Sequence, residues 1–91
     1  MTTENDQLLH DLFSEHVQKI QIYYDNSNIS NRDLLKLYGL YQQSVKGDIV
    51  KCDNFRSFKE KKMYESWQKY SGKNSDVCKQ LFINVVNNIM N

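Results

Sequence analysis

Tyr38 and Tyr41 are the residues of this chain whose type and spacing best suit chemistry. Positions three apart are neighbours on one face of a helix, so the pair presents two rings and two hydroxyls side by side. Tyrosine favours places where the ring is buried and the hydroxyl is wet. Two of them in this register suit a groove that takes a flat aromatic group together with an anion. Lys59, Lys61 and Lys62 cluster further along and offer counter-charge. On residue type alone the plainer readings stay open: an aromatic stripe that is core, and a lysine run that is a solvated face.

Catalytic and metal chemistry find little support. His10 and His16 stand six apart, so they point away from each other on one helix, and neither belongs to a Cys/His spacing suited to zinc. Cys52 and Cys78 carry no activated-nucleophile signature, and there is no phosphate-binding glycine loop or paired-carboxylate motif. The expectation is a non-enzyme with no metal and no catalytic residue. Two isolated thiols fit a reducing compartment. The opening Met-Thr-Thr-Glu-Asn-Asp resembles neither a secretory nor a transit segment, and no stretch approaches a membrane span. A cytoplasmic location is expected. The formal charge is +1, which argues against a general nucleic-acid binder. The second half of the chain is nevertheless richer in Lys and Arg, and is the better place for an anion.

The elements that must position these residues read as helices. The chain has no proline and three glycines among 91 residues, a scarcity that disfavours the turn-rich all-β folds. A first helix is expected from about Glu4 to Tyr23, capped by Thr3 with Asp6 in box position, its stripe made by Leu8, Leu9, Leu12, Phe13, His16, Val17 and Ile20. Residues 24–29 read as a loop. A second helix follows Ser30, with Leu34, Leu35, Leu37, Leu40 and Ser44 on its inner side, and ends at Lys46-Gly47. Gly39 lies in its interior and costs about 1 kcal/mol against alanine, which suggests room for a close neighbour or a ligand. Residues 48–57 form a long connection whose Ile49, Val50, Cys52 and Phe55 imply packing. Ser57 caps a third helix, with Glu60 in box position and an apolar face of Phe58, Met63, Tyr64, Trp67 and Tyr70, ending at Ser71-Gly72. Ser75 caps a fourth, striped by Val77, Cys78, Leu81, Phe82, Val85, Val86, Ile89 and Met90. One all-α domain over 1–91, a small four-helix bundle, is the expected architecture.

Leu37-Tyr38-Gly39-Leu40-Tyr41-Gln42-Gln43-Ser44-Val45-Lys46-Gly47-Asp48 resembles the signature of the acyl-CoA-binding protein family: leucine-tyrosine-x-x-tyrosine-lysine-glutamine, a short gap, then glycine-aspartate. Phe58-Lys59-Glu60-Lys61-Lys62-Met63-Tyr64-Glu65-Ser66-Trp67 is similar to the same family's phenylalanine-lysine-x-lysine-x-lysine-tryptophan-x-x-tryptophan. Ser71-Gly72-Lys73-Asn74-Ser75, with Phe82-Ile83 and Val86, resembles its last turn and helix. The resemblance implies a four-helix bundle that binds and carries long-chain acyl-CoA in the cytosol, a monomer meeting acyl-CoA-using enzymes or membrane surfaces transiently. It also implies a ligand set of Val17, Tyr38, Gly39, Leu40, Tyr41, Gln42, Lys62, Met63 and Phe82. In the family, the first signature tyrosine and the lysine after the second engage the 3′-phosphate, and the second tyrosine stacks on adenine. A helix-three lysine binds phosphate, and a last-helix tyrosine completes the pocket. Here those lysines are Gln42 and Met63, the tryptophan after the second is Tyr64, and the last-helix tyrosine is Phe82. The resemblance therefore implies an altered phosphate site, with two rival readings: a protein-interaction module that no longer holds CoA, or a carrier of another lipid.

Overall fold

The computed structural model describes residues 3–91, with side chains from Gln7 onward. Four helices follow one another: α1 (Thr3–Asn26), α2 (Asn31–Lys46), α3 (Phe58–Gln68) and α4 (Ser75–Met90). The expected cap at Thr3 with Asp6 falls outside the described side chains.

Local chemistry sets most of the boundaries. Ser30 Oγ accepts from Asp33 N at 3.1 Å and starts α2; Ser57 Oγ accepts from Glu60 N at 3.1 Å and starts α3. The return arm of that second box reaches one residue further back than expected: Glu60 Oε1 accepts from Arg56 N at 3.1 Å. α1 runs three residues past its expected end, and Asn26 Nδ2 donates back to the Ile22 carbonyl at 2.9 Å in its last turn. The cap of α4 is Asn74, not Ser75. Asn74 Oδ1 accepts from Asp76 N at 2.7 Å, which frees Ser75 Oγ to donate to the Ser44 carbonyl at 2.6 Å. The start of α4 is thereby tied to the end of α2.

α1 packs on α4, α4 on α2, and α2 on α3. The core is built from Phe13 and Ile20 of α1, Leu37 and Leu40 of α2, Tyr70 of the turn after α3, and Cys78, Phe82, Ile83 and Val86 of α4. α3 contributes no buried residue, so it is a wall set against α2 and not a core element. Leu8 and Leu12 of the expected α1 stripe are exposed, since only α4 covers that helix. His16 is structural: its ring nitrogens lie 2.7 Å from the Leu12 carbonyl and 3.1 Å from Asn87 Oδ1. His10 is exposed. In the 48–57 connection Ile49 and Phe55 are half-buried as expected. Val50 and Cys52 are exposed.

Candidate functional site

Three residues of the signature stretch build a joint. Gly47 turns the chain out of α2 with φ 81°, a left-handed value that glycine reaches without penalty. The turn delivers Asp48, whose Oδ1 accepts from Gln43 Nε2 at 2.8 Å and from Gly72 N at 2.7 Å. Gln43 Nε2 also donates to the Lys73 carbonyl at 3.3 Å. The end of α2 and the α3–α4 turn are thus held on one carboxylate. The two donors, Gly72 N–H first, keep that carboxyl below its ordinary pKa.

The same joint lays the connection over α3. Trp67 Nε1 donates to the Gly47 carbonyl at 2.8 Å. Cys52 N donates to the Tyr64 hydroxyl at 3.2 Å, and the Phe55 and Tyr64 rings meet with centroids 5.0 Å apart. Tryptophan has an N–H donor and no acceptor, so Tyr64 makes a contact here that a tryptophan could not. Between connection, α2 and α3 opens a groove of about 530 Å³, lined by Tyr38, Ile49, Cys52, Phe55, Ser57, Lys59, Glu60, Met63, Tyr64 and Trp67. Its volume falls in the usual range for ligand sites, and its walls are mostly aromatic and aliphatic. Lys59 is the one cation lining it, and Glu60 on the same wall is engaged by Arg56 at 3.7 Å.

The structure divides the expected ligand residues. Tyr38 and Met63 come together in the groove. Tyr41, three residues on, faces α1: its ring stacks on Phe13 with centroids 6.0 Å apart at 21°, and Phe82 meets Phe13 edge-on at 5.1 Å. Phe82 is buried and Tyr41 is 36% exposed, so one side of the Tyr41 ring is taken and part of it is open. Val17 is half-buried against this core. Gln42 is half-buried, and its Oε1 has no partner among the described residues. Gly39 and Leu40 serve the scaffold. A Cβ on Gly39 would sit 2.3 Å from the Ser66 carbonyl oxygen, so the missing side chain admits α3 and not a ligand. Leu40 is 1% exposed and sealed in the core. Lys62 lies on the other flank of the α2–α3 pair, beside Glu65 at 3.6 Å and over the Phe58 ring at 5.2 Å.

Phe13 stands beside Tyr41, and Lys79 beside Phe13, without any sequence signal that marks them. Phe13 was placed in the α1 stripe, and nothing local marks it as the partner of Tyr41. Lys79 Nζ stands 6.0 Å from the Phe13 ring centre, a cation beside the aromatic cluster. Cys78 is fully buried, and that burial pushes its thiol pKa up, so little thiolate forms. Among the described residues no group of three or more His, Cys, Asp or Glu is placed to hold a metal, and no helix is long and apolar enough to cross a membrane.

Comparison with known proteins gives a consistent picture. The family model described as "Acyl CoA binding protein" matches residues 10–86. An acyl-CoA-binding protein of Brassica napus and acyl-CoA-binding domain-containing protein 6 of Arabidopsis thaliana are each 32% identical over 79 residues, covering 86% of this chain and 84% of the relative. The crystal structure of acyl-CoA-binding protein 2 of Oryza sativa superposes with a TM-score of 0.79 at 26% identity, over 90% of each chain.

Proposed function

The chain belongs to the acyl-CoA-binding protein family, and from that premise we propose that it binds long-chain acyl-CoA without transforming it, buffering and carrying the thioester as a cytoplasmic monomer. The observation that carries this reading is the groove in which Tyr38 and Met63 meet between α2, α3 and the connection. An acyl chain laid along its aromatic and aliphatic walls gains about 0.8 kcal/mol per buried methylene. Tyr41, with one side of its ring backed by Phe13, supports stacking of the adenine on the open side. Acyl-CoA-using enzymes and membrane surfaces are the transient partners between which such a carrier works.

The phosphate end is weaker than the family pattern. Charged hydrogen bonds contribute roughly 1.5–3 kcal/mol each. Glutamine at 42 and methionine at 63 remove two of them, a loss of about 10²- to 10⁴-fold in affinity. Lys62 is turned to the opposite flank, which leaves Lys59 on the groove wall and Lys79 beside Phe13 as candidate replacements. A second reading, a carrier of an acyl lipid with a smaller headgroup, draws on the same facts: a groove with one lining cation and an adenine-type ledge half covered by Phe13.

Calorimetric titration with palmitoyl-CoA, dephospho-palmitoyl-CoA, free CoA and palmitate tests both. The first reading expects heat and thermal stabilisation with palmitoyl-CoA at tens of micromolar, and a small gap to the dephospho ligand. Silence with both thioesters together with binding of palmitate would transfer the conclusion to the second reading.

A further inference from the structure

We infer that the flank of the α2–α3 pair opposite the ligand groove is a docking surface for anionic phospholipid membranes. A second groove, of about 500 Å³, runs there between the two helices. Four cations line it: Arg32 and Lys36 from α2, and Lys62 and Lys69 from α3 and the residue after it. Its one lining carboxylate is Glu65, paired with Lys62 at 3.6 Å. Asp33 lies on the adjoining side, beside Arg32 and Lys36. The groove therefore holds a surplus of three positive charges in a chain whose total is +1, and the remainder of the molecule is net acidic. Such segregation creates a one-signed surface that a near-neutral composition conceals.

The aromatic edge of this surface favours a membrane over a soluble acidic partner. Phe58, at the start of α3, is 74% exposed, and the Lys62 ammonium sits 5.2 Å from its ring centre. An exposed ring flanked by cations can enter the headgroup boundary while the cations meet phosphate and carboxylate groups. Arg32, Lys36 and Lys69 are exposed and none has an ion-pair partner within 4 Å among the described residues, so they reach a headgroup without breaking an ion pair; Lys69 Nζ stands 5.9 Å from the Tyr70 ring centre. The inference deepens the membrane part of the proposed function, and it does not rest on acyl-CoA binding, because the two grooves share no residue.

Co-sedimentation of the full chain with phosphatidylcholine vesicles, with and without phosphatidylserine, tests it. The protein is expected to sediment with the phosphatidylserine vesicles, to stay in solution with phosphatidylcholine alone, and to be released by salt. Each cation near such a surface contributes about fivefold to partitioning. The triple variant Arg32→Glu/Lys36→Glu/Lys69→Glu should therefore bind at least about 10²-fold more weakly. Phe58→Ser should weaken binding while preserving its salt dependence. Unchanged circular dichroism and unchanged palmitoyl-CoA titration in the triple variant would separate docking from folding and from cargo binding. Failure of the wild-type chain to bind anionic vesicles at low salt, or equal binding by the triple variant, would overturn the inference, as would capture of an acidic peptide in place of vesicles.

Discussion

Replacing Gly39 by alanine sets two effects of opposite sign against each other. In an exposed helix interior the change stabilises by about 1 kcal/mol, because glycine is the poorer helix former. Here the added Cβ would meet the Ser66 carbonyl oxygen at 2.3 Å and its carbon at 2.8 Å, where ordinary contact begins at 3.4 Å. Both atoms are backbone, so no side chain can turn aside and α3 itself must retreat by roughly 1 Å, measured against ordinary van der Waals separation. Overpacking of this kind costs about 1–3 kcal/mol, and more where the obstacle is rigid. The clash wins, and Gly39→Ala should destabilise by about 2 kcal/mol net, a fall in melting temperature of about 8–15 °C for a domain of this size. Urea unfolding followed by circular dichroism reads the free energy. Because α2 and α3 are the walls of the groove, affinity for palmitoyl-CoA should fall with it. Gly72→Ala is the control: its φ of 85° makes the change cost about 1–2 kcal/mol in backbone strain, but a Cβ there meets nothing within 4 Å, so affinity should hold. If Gly39→Ala raises stability by the 1 kcal/mol that helix propensity alone predicts, the close approach of α3 to Gly39 is wrong, and so is the assignment of Gly39 to the scaffold.

Three further outcomes follow from the site. Met63→Lys, which puts a cation on the groove wall, should tighten palmitoyl-CoA binding by about 10- to 10²-fold and widen the gap to the dephospho ligand; tightening for both ligands alike would show that position 63 does not face the 3′-phosphate. Asp48 has a lowered folded pKa, so its contribution to stability is present above the unfolded value near about 4 and is lost as pH falls through the lower folded value. Unfolding midpoints between neutral and acid pH should accordingly fall less steeply in Asp48→Asn than in the wild-type chain. Tyr64→Phe strips the acceptor from Cys52 N and should cost about 0.5–1.5 kcal/mol, with faster amide hydrogen exchange at Cys52 as the local readout.

The helix count, the α2 and α3 caps and the end of α2 were all legible in the sequence, because each rests on short-range chemistry: Ser30 with Asp33, Ser57 with Glu60, glycine after Lys46. What escaped depends on where helices cross. Leu12 and Phe13 are adjacent in one apolar run, yet Leu12 is exposed and Phe13 lies under Tyr41 of α2 and against Phe82 of α4, a difference set by which side of α1 the other helices cover. Ser75 carries a cap's side chain, but its hydroxyl goes to Ser44 on another helix, and Asn74 takes the cap. Lys62 stood in the same lysine run as Lys59, and only the rotation of α3 against α2 places the two on opposite flanks.

That rotation also bears on how the ligand site can change. Tyr38 and Tyr41 are neighbours on α2, but they serve different surfaces: Tyr38 walls the groove shared with α3, and Tyr41 leans on Phe13 of α1 with Phe82 of α4 behind it. The two sides of the proposed site therefore draw on different helix pairs. Between them lies the scaffold of Leu40, Gln43 and Asp48, buried or hydrogen-bonded into the joint and blind to either end. Substitutions on one side need not disturb the other, since sites that share no partner are close to additive. Gln42 and Phe82 depart from the family pattern on the Tyr41 side, and Met63 and Tyr64 depart from it in the Tyr38 groove. A chain built this way can change its contacts on one side of the proposed site and still keep those on the other.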